Sequence, residues 1–293
     1  MILFSILLFI TGCEKDQVNS GFGRNYRDTV SPDVLFIGNG NEFRFDDIEL
    51  YDSSTHILYF KKEYKEFTAI SEILQGAFSF LDKGSTIYSG SFVPGYANSI
   101  PAGPFIQTPS MYGNYALRID LWLNNQTDVR NCPRLIKILK DHSLLHSGLS
   151  GSVDYVDVSS NQISFGFTVV NHDPTDLLIL DVNKTGPNLF HYFTNGLCLR
   201  DQNQNQVFSS TIDYQQPDPW NSWKTEWLTL LKSGEQMSFA FNYPIASPIS
   251  SGEYYMSFEF PGLAYQVLKN DLFQGNSRIW LGDITLKGKV SIP

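Results

Sequence analysis

The sequence predicts a mainly β protein, in which an α+β N-terminal domain with one helix is followed by a β-sandwich domain. Phe and Tyr, which strands favour, number 22 and 15. Short runs of alternating apolar and polar residues recur between turn-forming residues. Apolar residues recur at good helical spacing in one segment, from Pro133 to Leu145. We expect the two domains to comprise residues 33–147 and 148–293.

The N-terminal ten residues are apolar apart from Ser5, and Gly12 and Cys13 follow them closely. Ten residues of helix rise about 15 Å, which is half of the ~30 Å that a bilayer core requires. The short run and the small Gly12 therefore indicate a cleavable signal peptide that spans residues 1–12. The alternative is an apolar first strand that happens to end at a cysteine.

The residues around Cys13 resemble those of a known class of protein. Ile10-Thr11-Gly12-Cys13 resembles the bacterial lipobox, in which the cysteine thiol is acylated and becomes the mature N-terminus. Glu14 and Asp16 resemble the surface-export signal of Bacteroidetes lipoproteins, and Asp28-Thr29-Val30 resembles their short O-glycosylation motif. The resemblance implies lipidation at Cys13 and O-glycosylation at Thr29. It also implies an outer-membrane or cell-surface location, with the membrane as a partner through the lipid anchor.

The segment 13–32 separates this cysteine from the first predicted domain. It contains few aliphatic residues and two glycines, Gly21 and Gly23, so it cannot bury enough apolar surface to fold. We expect it to be a flexible tether between the anchor and the folded part of the chain.

Net charge limits the classes of partner. The formal charge at pH 7 is −9, and only 17% of the residues are charged. Nucleic acids bind to positive surfaces that neutralise phosphate and release counterions. The sequence therefore argues against nucleic acid as a partner.

Alternation and turn residues predict the elements of residues 33–147. Strands are expected at Asp46–Tyr51, His56–Lys61 and Tyr115–Leu123, and a hairpin at Ala77–Phe92. Gly84 can supply the positive φ that the tight turn of this hairpin requires. Pro133 suits the first turn of the predicted helix, which extends to Leu145.

Residues 148–293 consist almost entirely of predicted strands and turns. Strands are expected within Gln162–Leu180, Glu235–Ile245, Gly252–Gly262 and Arg278–Ile292, and their spacing predicts a two-sheet sandwich. The stretch Leu230–Phe260 resembles the late strands of immunoglobulin-like and fibronectin-type modules. The resemblance implies an immunoglobulin-like β-sandwich with Tyr254 or Tyr255 as a corner tyrosine, and it concerns the scaffold alone.

Compact catalytic motifs do not occur in this sequence. It contains no Gly-x-Ser-x-Gly elbow, Walker loop, His-Glu-x-x-His pair or Asp-x-Asp-x-Asp-Gly loop. His142 and His146 could face a metal together, but a helix C-terminus also favours histidine. Asp47 and Glu49 share a strand face, whereas a glycosidase needs two carboxylates across a cleft. We therefore predict no catalytic residues, no metal site and no cofactor, and we do not expect an enzyme.

Two cysteines, Cys132 and Cys198, remain if Cys13 carries lipid. An oxidising compartment would permit one disulfide between them, but two cysteines in different predicted domains do not demand it. Both a bridge and two free thiols stay open.

The segment from Asp213 to Leu231 is the best candidate for a ligand site. Its site residues are Trp220, Trp223, Trp227, Asp218 and Asn221. Indole faces stack on the apolar faces of sugar rings, and neighbouring amides and carboxylates bond the hydroxyl groups. Alternatively, Trp223 and Trp227 fill the core of the sandwich. A second aromatic candidate, Phe190-His191-Tyr192-Phe193, is more typical of packing.

These observations favour a non-catalytic, surface-anchored binding or accessory lipoprotein that recognises a glycan or a surface protein. The alternatives are an adhesin- or pilus-associated assembly protein, in which edge strands pair with another chain, and a polysaccharide hydrolase. Exposed Trp220 and Trp223 would favour binding. A long uncovered edge strand would favour assembly, and a deep cleft with two facing carboxylates would favour an enzyme.

Overall fold

The computed structural model describes residues 30–38, 40–63, 76–99, 101–122, 127–210, 213–264 and 266–292. The predicted signal peptide, Cys13, Thr29 and most of the tether lie outside these residues, so they stay predictions. The fold is mainly β with β-sandwich character, as predicted. No helix among the described residues has the length and apolarity needed to cross a bilayer.

Twenty strands and three α-helices make up the described part of the chain. The strands are β1 Val34–Gly38, β2 Asn41–Arg44, β3 Ile48–Asp52, β4 Ile57–Phe60, β5 Ala77–Asp82, β6 Ser85–Pro94, β7 Phe105–Thr108, β8 Ala116–Arg118, β9 Leu145–His146, β10 Leu149–Val158, β11 Gln162–Asn171, β12 Asp176–Leu180, β13 Leu197–Arg200, β14 Gln206–Ser209, β15 Leu228–Leu231, β16 Gln236–Pro244, β17 Gly252–Pro261, β18 Phe273–Gln274, β19 Ser277–Ile279 and β20 Asp283–Ile292. The helices are α1 Pro133–Asp141, α2 Val182–Thr185 and α3 Pro187–Phe190.

The first half of the chain forms two sheets, ordered β2-β1-β5-β6-β7 and β8-β4-β3-β9. Phe36 and Phe60, from different sheets, share one buried cluster with Leu135 and Leu139 of α1. The predicted hairpin is confirmed, because β5 and β6 pair antiparallel. Its turn places Gly84 at a φ of +77°. Helix α1 therefore packs against a core that both sheets supply.

Helix α1 ends earlier than the sequence predicts. It stops at Asp141, and Ser143 adopts a φ of +56°, so the chain turns out of the helix there. Leu145, which the apolar spacing assigned to the helix, begins β9 and pairs in parallel with Tyr51 of β3. Pairing with a neighbouring strand overrides the helical periodicity at this end.

The second half contains a sandwich of two sheets, as predicted, and a third sheet, ordered β15-β12-β19-β18, that was not predicted. The sheets β10-β11-β16 and β14-β13-β17-β20 pack through phenylalanines, with Phe258 of β17 lying 5.0 Å from Phe165 and 4.9 Å from Phe167 between ring centroids. Tyr254 is buried and its hydroxyl donates to the carbonyl of Ser250 at 2.8 Å. This is the bond expected of a corner tyrosine.

Contacts cross the predicted boundary between residues 147 and 148. Tyr59 and Tyr115 belong to the same buried cluster as Phe258. Arg278 on β19 is fully buried and donates from Nη2 to Oδ2 of Asp52 at 2.6 Å and to Oδ2 of Asp173 at 2.7 Å. The division into two domains stays a prediction, but its two sides share one apolar core and one buried ion network.

The two cysteines are free thiols. Cys132 is buried beside the start of α1, whereas Cys198 is partly exposed on β13. Of the two outcomes that the sequence left open, the structure has the unbridged one.

Candidate functional site

The tryptophan-rich segment connects β14 to β15 and crosses the surface next to α3. The amide of Gln215 donates to the carbonyl of Asn188 at 3.0 Å, which fixes the segment to the start of that helix. The bond between Asp218 and Pro219 is cis, and the amide of Ser222 donates back to the Pro219 carbonyl at 3.0 Å. These contacts hold a compact turn, with Trp220 at its tip.

The three tryptophans of this segment have different environments. Trp220 is exposed over 66% of its surface, and Trp223 is half-buried against the sandwich core. Trp227 is only 7% exposed and its ring lies 6.4 Å from that of Phe193. Trp227 therefore belongs to the core, as the alternative interpretation has it, because it immediately precedes the buried start of β15.

The polar candidates lie on either side of Trp220. Asp218 is exposed and lies two residues before Trp220 in the sequence. Asn221 is half-buried with a φ of +62°, a conformation that asparagine tolerates better than most residues. The turn thus presents one aromatic ring with a carboxylate and an amide next to it in sequence.

Tyr214 enlarges the aromatic surface of the segment, and sequence reasoning did not select it. It is 62% exposed, and its ring centroid lies 6.2 Å from that of Tyr192. Tyr192 in turn contacts Phe193 at 5.1 Å, so half of the second aromatic candidate lines this surface. His191 of the same candidate is buried and bonds Tyr243 at 3.1 Å, and burial lowers its pKa. The sequence signal for this contact was the presence of two aromatic segments, Phe190–Phe193 and Asp213–Leu231.

A cavity of about 250 Å³ lies where β8, β17 and β20 meet. It is lined by Gln107, Ser110, Met111, Tyr112, Arg118, Asp120, Glu259 and Asp283. Arg118 and Asp120 alternate with the buried Leu117 and Ile119 of the predicted strand Tyr115–Leu123. Glu259 and Asp283 are far away along the chain, so no local pattern places them beside these two residues.

The charged groups of this cavity are largely engaged with one another. Arg118 forms a bidentate ion pair with Asp283, and its Nε lies 2.9 Å from Oδ1 of Asp120. Burial raises the pKa of Asp120. Burial and the neighbouring Asp283 raise the pKa of Glu259, whose carboxyl group is within hydrogen-bonding reach of Asp283.

The histidines and carboxylates that the sequence offers as metal ligands or acids have structural partners. His142 stacks on Phe45 with ring centroids 3.7 Å apart, and His146 Nδ1 lies 2.8 Å from Oδ1 of Asp173. Oδ2 of Asp47 accepts a bond from the amide of Arg44 at 2.9 Å. Among the residues that the structure describes, no group of three His, Cys, Asp or Glu side chains is arranged to hold a metal ion.

Comparisons with known proteins found no matching family model and no matching curated protein. Among solved structures, the chain is similar to a β-glucosidase from Kluyveromyces marxianus, in selenomethionine-labelled form (11% identity) and in complex with glucose (9% identity). Both comparisons have a TM-score of 0.22 and cover 49% of this chain but 15% and 14% of the glucosidase, so the chain matches a small part of that enzyme. It is also similar to Northeast Structural Genomics Consortium target SoR45, with 8% identity, a TM-score of 0.21, and 50% and 84% of the two chains covered. Likenesses at this level carry no argument about function.

Proposed function

We propose that this chain is a non-catalytic, lipid-anchored binding module of the cell surface, which recognises a glycan through the loop around Trp220. The observation that supports the proposal is the 66% exposure of the Trp220 side chain on a turn held by backbone hydrogen bonds. Binding residues lie disproportionately on loops that a rigid scaffold positions, and tryptophan combines a large apolar face with a polar N–H group.

The chemistry around Trp220 suits a sugar ring. An indole face can cover the apolar face of a pyranose, and the carboxylate of Asp218 and the amide of Asn221 can bond its hydroxyl groups. Tyr214 supplies a second exposed ring on the same segment. Because the loop is held in place before a ligand arrives, little conformational entropy is lost on binding.

The charge of the loop selects among glycans. The exposed acidic residues Asp213, Asp218 and Glu226 outnumber the exposed Lys224. Carboxylates near the binding ring repel sulfated or uronic-acid polymers, whereas neutral hexose chains carry no such penalty. We therefore expect neutral glycans as ligands. The resemblance of the N-terminus to a lipobox supports a lipid anchor at Cys13, and the acidic Glu14 and Asp16 support a location outside the cell.

A glycan array tests this function, with the mature chain shortened to begin at Val18, so that it lacks the lipidated cysteine, as the probe. We expect saturable binding to neutral glycans, and we expect Trp220→Ala to lose it. Trp122→Ala is the matched control, because Trp122 is 57% exposed at a site remote in sequence from the loop. No binding by the intact chain to any neutral glycan, or equal loss in both variants, would contradict the proposal.

A further inference from the structure

The outer face of the sheet β10-β11-β16 carries an exposed tyrosine above a glycine. Tyr155 of β10 is opposite Gly166 of β11, which is in turn opposite Ala240 of β16. A Cβ built on Gly166 would lie 2.2 Å from Cε1 of Tyr155, so the ring occupies the space above that glycine. The ring is still 43% exposed, which leaves one side of it open to solvent. The small residues Gly166 and Ala240 lie side by side and form a shallow strip, here called the lane, in which the ring lies against the sheet.

Polar side chains form a row on each side of this lane. On one side, the hydroxyl of Thr168 lies 2.7 Å from that of Ser238 and donates to Oδ2 of Asp154 at 2.8 Å. On the other side, the Ser164 hydroxyl donates to Oδ1 of Asn242 at 2.8 Å. The amide nitrogen of Asn242 is not used in that bond and can donate outward.

The order of side chains along the strands produces this arrangement. The inward residues of β16, Phe239, Phe241 and Tyr243, are buried, so Ser238, Ala240 and Asn242 must face outward. A register shift between Val153 and Tyr155 of β10 leaves Asp154 and Tyr155 exposed together on the outer face. The bulge therefore places a carboxylate directly beside the ring.

We propose that this face is a second glycan-binding surface, in which the Tyr155 ring stacks on a sugar unit of a neutral polysaccharide and the two polar rows bond its hydroxyl groups. The surface shares no residue with the Trp220 loop, and the proposal goes beyond the function proposed above because it assigns a second site. The sequences of β10, β11 and β16 contain no Lys, Arg or His, while Asp154 and Asp157 are exposed on β10. This charge distribution disfavours sulfated and uronic-acid chains and leaves neutral polysaccharide as the occupant.

A tyrosine that covers a glycine can also serve the sheet alone, by shielding backbone that the glycine leaves open. The two roles give different results when the ring is removed. A purely structural ring would affect the melting temperature and leave polysaccharide binding intact. A binding ring would reduce the affinity for the polysaccharide in a chain that still folds.

Affinity electrophoresis tests the proposal, with the full mature chain run through gels that contain galactomannan, xyloglucan or, as an anionic comparator, heparin. We expect at least one neutral polysaccharide to retard the chain and heparin to leave it unretarded. Tyr155→Ala should weaken the affinity about tenfold or more, in the range of an aromatic hot spot. Tyr155→Phe keeps the ring and should bind like the parent chain.

Two further variants keep the test decisive. Asn242→Ala changes an exposed side chain of the flanking row, and we expect it to weaken binding while the melting temperature stays within about 2 °C of the parent. Trp220→Ala separates the two proposals, because loss in that variant alone would overturn the Tyr155 surface and retain the loop. Loss in Tyr155→Ala alone would retain the Tyr155 surface and show that the loop does not bind that polysaccharide. Stronger retardation by heparin, or no retardation of the parent chain by either neutral polysaccharide, would overturn the second site.

Discussion

Replacing Arg278 by methionine would leave two buried carboxylates without the cation that they share. The side chains of Arg278, Asp52 and Asp173 are fully buried, and one nitrogen, Nη2, donates to both carboxylates. Removing one partner of a buried ion group costs about 3–5 kcal/mol, because the remaining charge keeps its desolvation penalty and loses its compensation. We therefore expect Arg278→Met to lower the free energy of unfolding by about 3–5 kcal/mol in urea at neutral pH.

The penalty should depend on pH in a defined direction. Burial alone would raise the pKa of Asp173, but the hydrogen bond with His146 and the charge of Arg278 hold that pKa below its usual value. Without Arg278 the folded-state pKa of Asp173 rises, so the folded variant binds a proton more readily than the parent does. The stability lost in Arg278→Met is then fully lost above the raised pKa and is partly recovered as the pH falls through it. The difference between parent and variant should therefore be smaller at pH 4.5 than at pH 7.5.

Two comparisons complete this test. Arg200→Met removes an exposed arginine, and we expect it to change stability by no more than about 0.5 kcal/mol. Asp52→Asn combined with Arg278→Met removes one of the stranded charges and should be more stable than Arg278→Met alone. A loss below about 1 kcal/mol in Arg278→Met, or a loss independent of pH, would refute this account of the buried network.

Three other predictions concern stability. Burial, followed by the charge of Arg130, lowers the pKa of His56 to about 3, so the unfolded chain binds this proton first as the pH falls below about 6.5. Between pH 8 and pH 5 the parent should lose about 2 kcal/mol that His56→Asn does not lose, and urea unfolding at both pH values gives the difference. Trp227→Ala should cost about 3–5 kcal/mol in the same assay, whereas Trp220→Ala should cost no more than about 0.5 kcal/mol. Because both halves share one core, calorimetry should show a single transition, and two separated transitions would contradict the shared core.

Strict alternation is the part of the fold that the sequence predicts best. Strands β11, β16 and β17 each bury every second residue, as their apolar pattern requires, because one face of each packs in the sandwich. The hairpin of β5 and β6 was equally accessible, since Gly84 permits its turn. The end of α1 was not, because Leu145 satisfies the helical period and only its pairing with Tyr51 makes it a strand residue.

In the candidate sites, too, some features follow from local sequence patterns and others depend on long-range packing. A run of tryptophans indicates either a surface or a core, and only the packing of β15 decides that Trp227 is core while Trp220 is exposed. The charged cavity joins Arg118 to Asp283 across 165 positions, a pairing that no local pattern encodes. The position of the Tyr155 ring depends on register, because Gly166 must be opposite the residue that follows the bulge in β10. Local rules predict which residues face outward, and long-range register decides which of them meet.

Ligand binding by the Trp220 loop is the central claim, and a fluorescence titration tests it most directly. The mature chain would be titrated with the neutral glycan that gives the strongest array signal, with the parent, Trp220→Ala and Trp122→Ala compared at equal concentration. We predict a saturable change in tryptophan emission for the parent and Trp122→Ala, and an affinity at least about tenfold weaker for Trp220→Ala at an unchanged melting temperature. An affinity for Trp220→Ala equal to that of the parent would contradict the claim.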